Sequence, residues 1–209
     1  MKTGILFDLD GTLLDTLEDL HDAVNYALRA LGYPERSLEE VRQFVGNGAR
    51  VLMNRAVPEG GDAEAGYRVF KSYYDAHCQI KTAPYGGIPE ALEVIAARYP
   101  VAIVSNKPDS AVKTLCADYF PGIYALGERA GCPRKPAPDM VYRAMQDLGV
   151  ERCIYVGDSE VDVLTARNAG VSCLSVLWGF RDRTEMEAVG AARFCENPKD
   201  LISALEEML

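Results

Sequence analysis

Hydrophobic positions fall into two rhythms along the chain. It opens on an apolar run, Ile5 to Phe7, that stops abruptly at Asp8 and is followed by Asp10, Gly11 and Thr12. A run this short and this uniformly apolar predicts a strand buried on both faces. The spacing then becomes helical, with Leu17, Leu20, Val24, Leu28 and Leu31 on one stripe, Thr16 to Asp19 reading as a capping box and Gly32 as the stop. Ser37 with Glu40 opens a second helix carrying Val41, Phe44 and Val45, which Gly46-Asn47-Gly48 interrupts. Two more helices are predicted over 49–56 and 63–78, and no convincing strand occurs between the first strand and about Thr82.

Beyond Pro84-Tyr85-Gly86-Gly87 strands and helices alternate. Strands are predicted at 101–104, 123–126, 153–156 and 171–176, and helices at 88–99, 108–116, 139–148, 161–169 and from Pro198 to the end. This alternation predicts the α/β class: a doubly wound parallel sheet, a Rossmann-like core, with a small all-helical unit inserted after the first strand. The core is assigned to residues 1–15 and 83–209, and the helical insertion to 16–82. Such sheets bind ligands beyond the carboxyl ends of their strands.

Composition narrows the classes that remain. The 209 residues suit one sizeable domain with an insertion, and the apolar and charged fractions are those of a globular protein. A net charge of -9 with no offsetting Lys/Arg cluster argues against nucleic acid as a partner. Six scattered cysteines without a Cys-x-x-Cys pair argue against a disulfide framework or a zinc site. Asp8 cuts the first apolar run too short for a signal peptide, and no run is long enough to span a bilayer, so cytoplasm and no membrane partner are expected. Monomer and homodimer both stay open.

The residues with chemical potential fall where those strands end. In an extended strand Asp8 and Asp10 share a face, where two close carboxylates repel until a cation or a proton relieves them. Gly11 permits a turn, and Thr12 offers a hydroxyl to an anion; an ordinary Asp-rich turn is the plainer alternative. Ser105 and Asn106 end the second strand as possible phosphoryl-oxygen donors or as a helix cap. Lys135, between Arg134 and Pro136-Ala137-Pro138, is a lysine on a stiffened loop, able to aim a point charge or simply to sit in solvent. Asp158 and Asp162 lie one helical turn apart after Gly157, a spacing that suits either a metal site or an N-cap. Oxygen donors beside a phosphate favour Mg²⁺ over softer metals.

Together, Asp8-Leu9-Asp10-Gly11-Thr12, Ser105-Asn106, Lys135-Pro136-Ala137-Pro138 and Gly157-Asp158 to Asp162 resemble, in order, the four motifs of the haloacid dehalogenase-like superfamily. The resemblance implies a Mg²⁺-dependent phosphomonoesterase with Asp8 as nucleophile and Asp10 as acid and base. Thr12, Ser105, Asn106 and Lys135 would cradle the phosphoryl group, and Asp8, Asp10 through its main chain, Asp158 and Asp162 would surround the metal. The insertion then corresponds to a cap. Val45 to Arg50, the Asp-Gly-Thr-Leu-Leu-Asp-Thr start and the Lys-Pro-x-Pro loop are similar to bacterial phosphoglycolate phosphatases, which makes Arg50 the candidate for a substrate carboxylate and a small phosphorylated metabolite the partner. Arg181, after Trp178-Gly179-Phe180, is expected to face solvent, and His21 and His77 to pack or lie at the surface. Pyrophosphate hydrolysis, a β-phosphoglucomutase-like transfer and a phosphate-binding module are the alternatives.

Overall fold

The computed structural model describes residues 2–209. Its first strand, β1 (Thr3–Phe7), leads through the two-residue β2 (Leu14–Asp15) into α1 (Leu17–Ala30), α2 (Leu38–Phe44), α3 (Ala49–Ala56) and α4 (Ala63–His77), and the chain returns through β3 (Ala83–Pro84). Leu14 pairs with Pro84 and Asp15 with Ala83, antiparallel, so the outgoing and returning chains are stapled together at the root of the helical insertion. Two-residue strands carry no readable period, which is why this ladder was not expected.

The alternating part follows as α5 (Ile88–Arg98), β4 (Val101–Pro108), α6 (Asp109–Tyr119), β5 (Tyr124–Glu128), α7 (Asp139–Leu148), β6 (Arg152–Gly157), α8 (Glu160–Ala169), β7 (Ser172–Val176), α9 (Arg183–Glu187), β8 (Phe194–Cys195) and, after a 3₁₀ turn at Pro198–Asp200, α10 (Leu201–Glu206). Six strands form one sheet in the order β5-β4-β1-β6-β7-β8, with every pairing parallel. The expected doubly wound α/β core is therefore present, with β1 at its centre; α9 and β8 are additional.

Strand periodicity sorts the core into two layers. Ile5 pairs with Val101 and Ile154, Phe7 with Ile103 and Val156, and all six lie in one apolar cluster with α5, α6, α10 and the insertion. Between them Leu6 pairs with Ala102 and Tyr155, and these belong to the opposite cluster, closed by Met140, Val141 and Ala144 of α7 and Ala166 of α8. Alternation with a period of two thus buries both faces of the same strands.

The helix starts follow their sequence signals unevenly. The Ser37–Glu40 capping box forms, with Glu40 N–H donating to Ser37 Oγ and Ser37 N–H to Glu40 Oε2. The box expected at Thr16–Asp19 does not form. Thr16 Oγ1 instead donates to Asp10 Oδ1 at 2.7 Å, and Asp19 accepts the backbone N–H groups of Lys81 and Thr82. Both side chains have found partners across the root of the insertion, which a local cap motif cannot anticipate. Among the described residues no helix is long and apolar enough to cross a membrane.

Candidate active site

Three strand ends meet here. β1 delivers Asp8, whose N–H donates to the Val156 carbonyl at 2.9 Å and so fixes the turn out of the strand against the end of β6. The N–H groups of Thr12, Leu13 and Leu14 all converge on the Leu9 carbonyl, wrapping the chain into a tight loop. Gly11 sits in that loop at φ +82°, and a Cβ there would lie 2.2 Å from Asp158 Oδ2, so both conformation and space require glycine.

β6 delivers Asp158, and α8 begins just beyond it. Asp158 Oδ1 accepts from Thr12 Oγ1 and Oδ2 from the Phe180 N–H, each at 2.8 Å. The Thr12 hydroxyl is thus committed to orienting Asp158. Asp162, fully buried, accepts from Ser159 through one oxygen and from Lys135 Nζ through the other.

Lys135 is 2% exposed despite its place in a loop. Its ammonium reaches Asp8 Oδ1 at 2.9 Å, Asp162 Oδ1 at 2.8 Å and the Tyr155 hydroxyl at 3.0 Å. The Asn106 side chain holds that loop from β4: Oδ1 accepts from Lys135 N–H, and Nδ2 donates to the carbonyls of Lys135 and of Gly46 in the insertion. Asn106 is therefore a clamp whose amide hydrogens are both in use, whereas Ser105 accepts from Lys107 N–H, and its own hydroxyl proton has no acceptor among the described residues.

Electrostatics follow from this crowding. Asp8, Asp158 and Asp162 each place one carboxylate oxygen within 4.8 Å of the others, all buried. Burial pushes the Asp8 carboxyl well above its ordinary range; Lys135 pulls it down, and Asp162, Asp158 and Asp10 push it up again. Burial and then Asp162 raise Asp158 to about 7, against the donors Phe180 and Thr12. Burial works against charge on Lys135, but Asp162 and Asp8 override it and hold the ammonium. Three carboxylates thus share one ammonium, and the surplus negative charge and hard oxygen donors fit a divalent cation.

Asp10 is turned the other way. Its Oδ1 accepts from Thr16 and from Lys107 Nζ, each at 2.7 Å. Its carboxylate is not among those gathered with Asp8, Asp158 and Asp162. Lys107, also buried, was not singled out in the sequence, although it directly follows Ser105-Asn106 at a strand end.

A cavity lies over these groups, with a volume of about 50 Å³, room for a handful of waters. Asp8, Asp10 and Asp158 form its floor, and Ala49, Leu52 and Tyr74 of the insertion belong to its other wall. Arg50 is not brought to it. α3 turns Ala49, Leu52 and Met53 inward, which leaves Arg50 on the outer face, paired with Glu64 and lying 4.1 Å above the Tyr67 ring. From that face its guanidinium does not line the cavity. Arg181 is corrected in the opposite sense: it is 5% exposed, and its guanidinium bonds Glu160 and the carbonyls of Arg42, Gln43 and Val45, tying the insertion to the core. His21 bonds the Arg36 carbonyl and His77 stacks on Tyr73, and neither lines the cavity.

Comparison with known proteins agrees with this geometry. Residues 5–176 match the family described as haloacid dehalogenase-like hydrolase. The chain is 36% identical over 207 residues to a phosphoglycolate phosphatase of Rhodobacter capsulatus, covering 93% of each chain. It is 32% identical over 218 residues to phosphoglycolate phosphatase 1 of Pseudomonas aeruginosa, covering 97% of this chain and 79% of that one. A crystal structure from Lactobacillus delbrueckii subsp. bulgaricus, provisionally named a phosphoglycolate phosphatase, has a TM-score of 0.92 at 37% identity and covers 98% and 99% of the two chains. With the sheet order, the ordered strand-end residues and this sequence match in agreement, the chain belongs to the haloacid dehalogenase-like hydrolases.

Proposed function

We propose that the protein is a Mg²⁺-dependent phosphomonoesterase that works through a phosphorylated Asp8 and whose best substrate is 2-phosphoglycolate. The observation that carries the reading is the separation of two carboxylates by environment. Asp8 is held between Lys135 and the buried Asp158 and Asp162, and Asp10 is held by Lys107 and Thr16. Such a pair serves a reaction that needs a nucleophile and a proton carrier side by side. The substrate is supported by the names of the relatives and by a cavity that suits a leaving group of few atoms.

In the first step an Asp8 oxygen attacks phosphorus, the ester bond breaks, and the electron pair leaves on the ester oxygen. Asp10 delivers the proton that converts this oxygen to an alcohol. In the second step Asp10 takes a proton from water, which attacks the same phosphorus, and the Asp8–phosphorus link breaks to free inorganic phosphate, leaving Asp8 a carboxylate and Asp10 protonated for the next turnover. Lys135 fixes the Asp8 carboxylate, Ser105 donates to a phosphoryl oxygen, and Asn106 and Thr12 act by holding Lys135 and Asp158. Asp8, Asp158 and the Asp10 main chain would hold the Mg²⁺, with Asp162 steadying the assembly through Lys135 and Ser159; when bound, the ion neutralises phosphoryl charge. Residues 16–82 act as the cap that closes over this site.

Phosphate release from 2-phosphoglycolate, sugar phosphates, pyrophosphate and an aryl phosphate, with Mg²⁺ and with EDTA, tests the reading. A preference for 2-phosphoglycolate that EDTA abolishes supports it; phosphate release that EDTA leaves intact sinks the metal role, and a better substrate elsewhere in the panel sinks the assignment of 2-phosphoglycolate. Asp10→Asn is expected to slow alkyl esters about 10²- to 10⁴-fold, the usual contribution of a positioned acid. Aryl phosphates, whose phenolate departs without a proton, should lose much less in their first step, and a uniform loss across leaving groups would remove Asp10 from the acid role.

A further inference from the structure

Tyr74 of α4 lines the cavity and is 3% exposed, yet its hydroxyl has no hydrogen-bond partner among the described residues. A buried phenol without a partner costs free energy unless a ligand or water supplies one. Burial holds the Tyr74 phenol well above its ordinary range, so it stays a donor. Against its ring, 4.7 Å from the centroid, lies the Lys107 ammonium, also in the cavity wall. Of that ammonium's three donors one goes to Asp10 and a second faces the Tyr74 hydroxyl without completing a hydrogen bond, so the two groups can converge on one acceptor.

The other cations near the site are less available to the cap side, and Arg134, which sits behind Gly48 and pairs with Glu128, does not line the cavity. Arg181 is occupied by Glu160 and three carbonyls of the insertion, Lys135 by Asp8, Asp162 and Tyr155, and Arg50 lies outside. The other side chains the insertion presents there, Leu20, Val45, Ala49, Leu52 and Phe70, are apolar, and Gly46 and Gly48 contribute backbone only.

We infer that Lys107 Nζ and Tyr74 Oη form an anion subsite that takes the carboxylate of the leaving group, so that the cavity selects phosphoesters carrying a carboxylate one carbon from the ester-bearing carbon or closer. This rests on the phosphomonoesterase reading above and extends it to the residues that choose the substrate. The short reach follows from Asp10, which protonates the ester oxygen and touches Lys107: an ammonium bonded to the acid can also meet only a carboxylate that lies near that oxygen. A longer leaving group carries its charge past the ammonium into the apolar wall, where an unpaired carboxylate is strongly disfavoured. Charge-assisted bonds in so dry a setting discriminate well between a substrate that makes them and an analogue that lacks the acceptor.

The test compares 2-phosphoglycolate with ethyl phosphate, in which a methyl replaces the carboxylate, in wild type, Tyr74→Phe and Lys107→Gln proteins. The reading is the ratio of kcat/KM for the two esters, which cancels general damage to the catalytic groups. It is expected to fall about tenfold in Tyr74→Phe, which keeps the ring, and about 100-fold in Lys107→Gln, the usual size for losing a bond to a charged group. An unchanged ratio in both variants overturns the subsite. Calorimetric titration of Asp8→Asn protein with the same two compounds, with and without Tyr74→Phe, reads binding without turnover. Carboxylate-dependent affinity that Tyr74→Phe removes supports the subsite even if wild type releases phosphate from neither ester, and equal affinities for the two compounds overturn it even if both are hydrolysed.

Discussion

Asp8→Asn is expected to reduce phosphate release by on the order of 10⁵-fold, as when the nucleophile of a cooperating set is removed. An amide has no electron pair basic enough to attack phosphorus, and no second carboxylate can replace it: Asp162 is consumed by Lys135 and Ser159, Asp158 by Thr12 and Phe180, and Asp10 by Lys107 and Thr16. The fold should survive. The Asn oxygen can still accept from Leu9 N–H and Lys135, which now bond Asp8 Oδ1. Burial raises the Asp8 carboxyl, which means the folded protein holds that proton more tightly than the unfolded chain. Stability contributed by the protonated form is therefore lost as pH rises from the ordinary carboxyl range through the raised value, so an ionised Asp8 costs stability in the absence of a cation. Asparagine removes that cost, so the thermal midpoint in EDTA should hold or rise while turnover collapses. Steady-state kinetics alongside a thermal melt checks both halves. Turnover within tenfold of wild type would exclude Asp8 as the nucleophile, and a large fall in the midpoint would show that the lost activity reflects the fold.

Much of this site was readable from short stretches because strands end where they lose their apolar neighbours. Asp8 and Asp158 directly follow β1 and β6, Ser105 follows the apolar residues that open β4, and a parallel sheet necessarily gathers such points along one edge. What could not be read depends on pairings distant in sequence. Thr16 looks like a cap until Asp10 is seen beside it, and Lys107 meets Asp10 across 97 positions. Tyr74 has the spacing of an ordinary core aromatic, and the pattern is the same whether the hydroxyl reaches solvent or a cavity. Arg50 and Arg181 were misplaced for a related reason. Neither the apolar stripe of a helix, for Arg50, nor a place in a loop, for Arg181, says which partners on other elements a charged side chain will find. For Arg50 these are Glu64 and Tyr67, and for Arg181 the carbonyls at the end of α2.

Lys135→Met is expected to be the most destabilising substitution at the site. The side chains are similar in length, so what is lost is charge and hydrogen bonding. Asp8 and Asp162 lose the ammonium between them, and the Tyr155 hydroxyl loses one of its two partners and keeps the Val104 carbonyl. Breaking a buried ion pair from one side costs about 3–5 kcal/mol, because the remaining charge is left without compensation. For a chain of this size that corresponds to a fall of roughly 6–20 °C in the thermal midpoint. Two further measurements separate this account from simple loss of packed volume. Mg²⁺ should raise the midpoint of Lys135→Met by more than it raises wild type, since three buried carboxylates then have no other counter-charge. Adding Asp8→Asn to Lys135→Met should restore part of the lost stability, a non-additive outcome reserved for residues in direct contact. A cavity defect predicts neither: its cost would be indifferent to Mg²⁺ and would add to that of Asp8→Asn. If the double variant melts at the temperature expected from summing the single changes, Lys135 is a packing residue and the charge balance of the site must be assigned elsewhere.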